Sequence, residues 1–245
     1  PPFLMASLYI RAFNLLPESL RRRINPLEYA IEAFVRSAGL ELDQGAVVLD
    51  AGAGEVRFRR FFPDQLYVAL DLAVGDSDWD YSRIHVCADL EALPVPGQSV
   101  DRVLNIQVLE HVRDPGSVLI ELYRVLKSGG CLYLTAPQGW SEHQQPHDYY
   151  RFTQFSLRLL LETAGFKEIA IEPLGGYFHY LGHRLTYLPK ILFQDRGGIA
   201  RLLLLPLELI SLLVCCLIGP ILCYYLDRLD QTGEFTLCYK CRAVK

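Results

Sequence analysis

Three acids end three apolar runs in the first half of the chain. Val47-Val48-Leu49 leads into Asp50, Leu66-Tyr67-Val68-Ala69-Leu70 into Asp71, and Ile84-His85-Val86-Cys87-Ala88 into Asp89-Leu90. Ala51-Gly52-Ala53-Gly54 follows the first acid, and glycines there let the backbone bend and come close to a ligand. The dinucleotide fingerprint Gly-x-Gly-x-x-Gly fails because position 57 is Arg. Asp71 lies about twenty residues past the glycines, where a carboxylate can accept both hydroxyls of a ribose. Asp89 suits a contact to a base amino group, with Leu90 against the ring. A second polar group is His143-Gln144-Gln145-Pro146-His147-Asp148-Tyr149-Tyr150-Arg151. His147 beside Asp148 can act as a base with its orienter, and His143 is the other candidate base. Tyr149 and Tyr150 can pack on a sugar or an aromatic acceptor. The alternative is that this loop uses the same groups to hydrogen-bond itself against the sheet, and His111 is read as structural.

Buried parallel strands are the elements that place acids in this way: short, nearly continuous apolar runs that stop at a tip. Strands are expected at 46–50, 66–71, 84–90, 100–107, 131–137 and 167–172, with a last one at 234–244. Helices are expected over 27–38, closed by Gly39, over 57–62, stopped by Pro63, and over 115–126, capped by Lys127-Ser128-Gly129-Gly130. A further helix starts near Thr153, a good capping residue, and runs to Ala164.

At 245 residues the chain holds one α/β domain and an appendage. Its 21% charged and 51% hydrophobic residues describe a globular chain, and a net charge of −4 argues against nucleic acid as the main partner. Seven cysteines, scattered mostly within apolar runs, suit a reducing compartment. Cys238 and Cys241 form a lone CxxC on a strand pattern, where residues three apart face opposite sides; no metal site is expected there or elsewhere. No secretory signal with a cleavage site is expected, and Met5 is the expected native start.

With these elements placed, the chain resembles the class I S-adenosylmethionine (SAM) methyltransferases, in particular the type-11 group, over about 44–174 and 234–245. The resemblance rests on Leu49-Asp50-Ala51-Gly52-Ala53-Gly54, Asp71, Ala88-Asp89-Leu90, Val108-Leu109-Glu110-His111-Val112 and Arg124-Val125-Leu126-Lys127-Ser128-Gly129-Gly130. It implies a Rossmann-like seven-stranded α/β sheet with an antiparallel last strand and SAM at the carboxyl ends of the strands. Asp50, Ala51, Gly52 and Gly54 would shape the pocket for the amino-acid end of SAM, Asp71 and Leu72 would meet the ribose region, and Asp89 and Leu90 the adenine. Asn105 and Gln107 would line the floor near the sulfonium. Many members carry a third glycine where this chain has Val56. The loop pattern His-x-x-Pro-x-Asp-Tyr-Tyr-Arg-Phe-Thr is similar to bacterial methyltransferases associated with surface polysaccharide and glycolipid synthesis, which implies O-methylation of a sugar.

Two stretches lie outside that core, which is expected at 27–174 plus 232–245. Residues 1–26 alternate apolar (Leu8, Ile10, Phe13, Leu15, Leu16) with basic (Arg11, Arg21-Arg22-Arg23) positions, an amphipathic segment that can lie on an anionic membrane or pack on the core. Residues 175–231 form an insertion, nearly all apolar from Leu202 to Leu226. Its length suits a membrane span, but a strand that must rejoin the sheet argues for entry and return, with a break at Gly219-Pro220. Arg184, Lys190, Arg196 and Arg201 can meet lipid headgroups, and Tyr177, His179, Tyr180 and His183 the headgroup of an acceptor. A dimer face is the other reading. The expected protein is a methyltransferase for a lipid-linked sugar, glycan or other membrane-associated acceptor, peripheral or monotopic at the cytoplasmic membrane face, with a homodimer as an open expectation. The alternatives are a methyltransferase for a soluble metabolite, with the insertion as dimer interface, and a silent SAM-binding scaffold.

Overall fold

The computed structural model describes residues 13–40, 42–75, 78–193 and 198–245. Leu8, Ile10, Arg11 and Arg196, expected to face a membrane, lie outside them, as does the Arg201 side chain. The chain folds as two compact units. One comprises Ile31–Leu174 with Cys238–Lys245, the other the chain up to Ala30 with Gly175–Leu237.

The first unit is built on one seven-stranded sheet of order β3-β2-β1-β4-β5-β7-β6. Its strands are β1 (Val47–Ala51), β2 (Leu66–Asp71), β3 (Val86–Cys87), β4 (Val100–Ile106), β5 (Leu126–Pro137), β6 (Lys167–Pro173) and β7 (Cys238–Val244). Strands β1 to β5 pair in parallel, whereas β7 runs antiparallel between β5 and β6. This is the expected sheet. The apolar runs at β1, β4 and β5 are buried on both faces, which is why their sequences hardly alternate. On one face Leu132 and Leu134 of β5 share a core with Val118, Leu122 and Val125 of α3 (Pro115–Val125) and Leu157 and Leu161 of α4 (Gln154–Thr163). Tyr133 points the other way, its ring 5.0 Å from Phe34 of α2 (Pro26–Gly39). Thr153 caps α4 with its side chain on the Ser156 N–H, as expected.

Four local expectations change. The last strand, expected at 234–244, begins only at Cys238. The helix expected at 57–62 is only a 3₁₀ turn, Arg59–Phe61. The strand expected at 84–90 shortens to Val86–Cys87, because it pairs only with β2 and then turns at Asp89. Lys127–Gly130 are not a helix cap but part of β5. The ladder to β4 skips from Leu126 to Cys131, and Lys127 Nζ reaches both carboxylate oxygens of Asp101 at 2.8 Å.

The second unit contains α1 (Glu18–Ile24), α5 (Tyr177–Leu185), α6 (Leu188–Phe193), α7 (Gly198–Leu213), a π-helical segment (Val214–Ile218) and α8 (Gly219–Leu226). Helix α5 packs on α8 and α6 on α7, so the chain runs out along one helical arm and back along the other. Gly182 makes the close approach possible: a Cβ there would stand 3.0 Å from Cys223 and 3.3 Å from Pro220. No break occurs at Gly219-Pro220. Ile218 and Gly219 keep helical angles, and the π segment immediately before Pro220 accommodates a proline that cannot donate to the preceding turn. The two ends of the insertion are tied together. Asp227 accepts from the N–H groups of Gly176 and His179, and Asp230 from that of Tyr177, which puts two carboxylates at the N-terminus of α5.

Candidate active site

Because β1 to β4 are parallel, their last residues line one edge, and the candidate site is built on the turns that leave it. Gly52 has φ 90° and Gly54 φ 51°, a region that costs little only without a Cβ. Space makes the same demand: a Cβ on Gly52 would stand 2.4 Å from Val108, and one on Gly54 3.1 Å from the ring of Trp79. Val56 also takes a positive φ, 60°, while buried at 6% exposure. For a β-branched residue that geometry costs on the order of 1–3 kcal/mol, so this chain carries strain where the resembled family places a glycine. It also explains why no α-helix follows the turn.

Asp71 holds the turn. Its Oδ2 accepts from Gly54 N–H at 2.8 Å and its Oδ1 from Ala73 N–H at 2.7 Å, and each oxygen keeps a second lone pair able to take a hydroxyl. Next to it Leu72 is 45% exposed. Asp50 is buried and takes the Tyr67 hydroxyl. Burial pushes its carboxyl up to about 7, against the pull of that hydrogen bond and with the Asp71 charge pushing the same way. Asp50 therefore stands beneath the turn and Ala51 is buried with it, so both shape the site from below. Asn105 donates Nδ2–H to the Ala51 carbonyl at 2.9 Å, and its fully buried Oδ1 has no hydrogen-bond partner. A buried orphan acceptor beneath a glycine turn matches a ligand that brings an N–H or ammonium group.

Other expected contacts are altered. Asp89 is exposed and caps the next turn by accepting from Glu91 N–H, as an acid at a strand tip can while facing a ligand. Leu90, expected against an adenine ring, instead turns its side chain into the core among Leu49, Leu70 and Leu93; the apolar run continues inward past the acid. Gln107, at φ 58°, points its amide at Thr135 Oγ1 (3.2 Å) and Cys238 Sγ (2.9 Å), so it ties β4 to β5 and β7.

The loop after β5 is clamped to the turn after β4. Tyr149 and Tyr150 N–H groups reach the Glu110 carbonyl, the Tyr150 hydroxyl donates to Arg113 O, and the His147 carbonyl accepts from His111 Nδ1. The expected His147–Asp148 pair does not form. Asp148 is gripped by both guanidinium nitrogens of Arg151 at 2.7 Å and by the His143 backbone N–H at 2.9 Å, and the Arg151 bonds hold its carboxyl at about 2. His147 Nδ1 meets the Tyr149 hydroxyl at 3.0 Å. Neighbours on an extended loop point apart, and Asp148 serves His143, whose Nδ1 lies 3.4 Å away. Tyr149 and Tyr150 remain exposed, as an acceptor platform requires.

Tyr177 and His179 belong to the other unit. His179 is not free for a headgroup, because its Nδ1 lies 3.1 Å from Asp227 and its ring stacks on Tyr224. Burial lowers its basicity, and the Asp227 charge opposes that. Tyr177 is exposed, with its ring edge-on to Phe178 and Phe235.

Two residues were not legible as site residues in the sequence. Trp79 lies over Gly54 from a loop whose only signal is a tryptophan among polar residues. Glu110 is fully buried beside His111 and His143, and burial pushes its carboxyl up to about 8 against the pull of the Arg151 charge. It reaches them through the 3₁₀ turn Leu109–His111, which spacing does not announce.

A glycine turn under an acid-tipped strand edge, with β7 reversed beside β5, is decisive for the architecture. The core has the class I methyltransferase fold. Residues 49–134 match the Methyltransf_11 methyltransferase domain. The chain is 33% identical over 150 residues to a probable S-adenosylmethionine-dependent methyltransferase of Mycolicibacterium smegmatis, covering 56% of this chain and 57% of that one. It is 35% identical over 102 residues to the malonyl-[acyl-carrier protein] O-methyltransferase of Yersinia pestis, covering 39% and 38%. These matches span about half of the relatives' length or less. Among solved structures, a SAM-dependent methyltransferase from Archaeoglobus fulgidus superposes with TM-score 0.54 at 16% identity, over 89% of this chain and 94% of that one. The [4+2]-cyclase SpnF superposes with TM-score 0.55 at 17% identity, over 88% and 80%. The second shows that this methyltransferase fold also hosts other chemistry, so activity has to be argued from the site.

Proposed function

We propose that the chain is a SAM-dependent methyltransferase, and that its acceptor is a hydroxyl of a lipid-linked sugar, glycan or other membrane-associated molecule. The observation that carries the first part is Asp71. A carboxylate at the tip of β2, braced by the Gly54 amide, keeps one lone pair per oxygen for the two hydroxyls of a ribose. The orphan Asn105 Oδ1 beneath the glycine turn suits the ammonium of the methionine end, and Asp50, Gly52 and Gly54 fit the close approach of that end. Bound SAM supplies a methyl already activated by its sulfonium. The protein's own task is to align an acceptor and exclude water, with Tyr149 and Tyr150 as the exposed platform and His143, oriented by Asp148, as the base in place of His147.

The membrane part rests on the second unit. Its helix Leu203–Leu229 has 27 residues and an 18-residue window of mean hydropathy 2.4, and at about 40 Å it is long and apolar enough to cross a bilayer. The core helix of a soluble protein is mostly buried, whereas here only 17% of the apolar window is. The clasp of Asp227 and Asp230 on the start of α5 keeps both ends of the insertion on one side. That favours a monotopic arm over a single span. In this reading the arm lies in the cytoplasmic membrane face, and Lys190, exposed on α6, is the cation we assign to the headgroups. The test is incubation of the full chain with methyl-labelled SAM and total lipid extract. Label in a base-stable lipid or glycan fraction is expected. Label appearing only in soluble metabolites would remove the membrane acceptor, and cofactor binding with no labelled product would leave a silent scaffold.

A further inference from the structure

The geometry points to a divalent transition-metal site formed by Glu110, His111 and His143. Their ligand atoms all lie within 4.8 Å of one another. The tautomers follow from the partners. His111 Nδ1 faces the His147 carbonyl at 2.5 Å, and His143 Nδ1 faces the Ser141 carbonyl at 3.0 Å. A carbonyl only accepts, so both Nδ1 atoms carry the proton and both Nε2 atoms carry the lone pair when the rings are neutral. Those two Nε2 atoms are 3.1 Å apart. Lone pairs facing each other at that distance repel unless an electron-poor centre lies between them.

The third ligand supplies the charge. Glu110 Oε1 is 3.8 Å from His111 Nε2, the carboxylate is fully buried, and neither oxygen has a hydrogen-bond partner. Zinc bonds of about 2.0–2.2 Å to nitrogen and oxygen in tetrahedral geometry put neighbouring ligand atoms roughly 3.3–3.5 Å apart. Separations of 3.1 and 3.8 Å bracket that value and the third, from Glu110 to His143, is at most 4.8 Å, so side-chain shifts of up to about 1 Å close the shell. The outer contacts are also those of metal-binding imidazoles. Each ring donates its other N–H to a backbone carbonyl, and Asp148 Oδ2 stands 3.4 Å from His143 Nδ1. Two imidazoles and a carboxylate leave a fourth position for a water or a hydroxyl oxygen, the pattern of open rather than purely structural zinc sites.

This site does not depend on SAM binding, but it replaces the role of His143 as base, since an Nε2 that ligates a metal has no lone pair left for a proton; metal and cofactor are tested in parallel on the same protein. The tag-free, chelator-treated full chain is titrated with Zn²⁺ by calorimetry, and with Co²⁺ by visible absorption. One equivalent of Zn²⁺ is expected, with the d–d bands of a tetrahedral Co²⁺ complex. His143→Ala, on a partly exposed loop position, should weaken Zn²⁺ by at least a hundredfold and abolish the bands; Glu110→Gln, near-isosteric, should weaken it at least tenfold. Circular dichroism checks that both variants fold, and His143→Gln is the fallback at that position. No stoichiometric binding would overturn the site, leaving a protonated histidine pair balanced by Glu110. Zn²⁺ binding unchanged in folded variants would place the metal elsewhere and overturn it equally. S-adenosylhomocysteine binding measured alongside keeps a failure of the metal site distinct from a failure of the cofactor site.

Discussion

The sheet edge and the helical arm solve opposite problems with the same kinds of forces. At the sheet edge polar groups are carried inward: Asp50, Asn105 and Glu110 are buried among leucines and valines, the first two each held by a directed bond and the carboxylate of the third without one. On the arm apolar groups are carried outward, with Leu203 at 73%, Ile210 at 57% and Leu222 at 56% exposure, and among the described residues of its helices only Gly182, Pro189, Cys216, Pro220 and Cys223 are buried. A buried polar atom without a partner and an exposed apolar patch without a cover are each costly in water. Each therefore signals something that binds there. The first suits a charged or hydrogen-bonding ligand, and the second is the ground on which we propose an apolar phase as partner of the arm.

The largest expected effect separates these regions. Replacing Leu203, Leu207 and Ile210 together by Gln removes side chains worth roughly 1.5–3 kcal/mol each when fully buried in an apolar phase. Co-sedimentation with anionic lipid vesicles should fall by more than about a hundredfold, while the urea midpoint of the unfolding transition hardly moves. Vesicle binding that survives this triple change would break the comparison. Gly52→Ala tests the sheet edge. With φ at 90° and a Cβ 2.4 Å from Val108, strain and overpacking should cost about 3 kcal/mol in urea unfolding. An unchanged midpoint would show that the turn is not built as described.

Asp50 gives a pH signature. Its carboxyl is raised from 3.8 to about 7, so between those values the folded state holds a proton that the unfolded chain has lost. The contribution is fully present below about pH 4 and is lost as pH rises towards 7, with a slope of up to about 1.4 kcal/mol per pH unit. Asp50→Asn should flatten the stability curve over that window; equal slopes in the two proteins would contradict the burial assigned to this group. The smallest effect is at Val56. Val56→Gly relieves a positive φ worth on the order of 1–3 kcal/mol and gives up buried apolar surface of similar worth, so unfolding should shift by less than about 1 kcal/mol.

The strands that carry the acids were legible because doubly buried parallel strands must be continuously apolar, and β1, β2 and β4 are found at their expected places. Strand β3 was legible only in part, since an edge strand pairs on one side and ends where Asp89 caps a turn. Gly219-Pro220 reads as a break from local propensity, yet a π turn lets the helix continue. At the site, Asp71 could be placed from its distance to the glycines alone. The pairing of Asp148 with His143 and Arg151 could not, because contacts between loops are set by how the chain folds back and not by adjacency. Glu110 was hidden for the same reason. Its partner His143 lies 33 positions away in the sequence and meets it only after the loop closes on the turn.

The most direct measurement is calorimetric titration of the full chain and of Asp71→Ala with S-adenosylhomocysteine. The account predicts one binding site in the native protein and a loss of more than about tenfold in affinity on removing this carboxylate, since ribose hydroxyls lose a charged acceptor. Equal affinities in the two proteins, or a native chain that takes up none of the nucleoside, would contradict it.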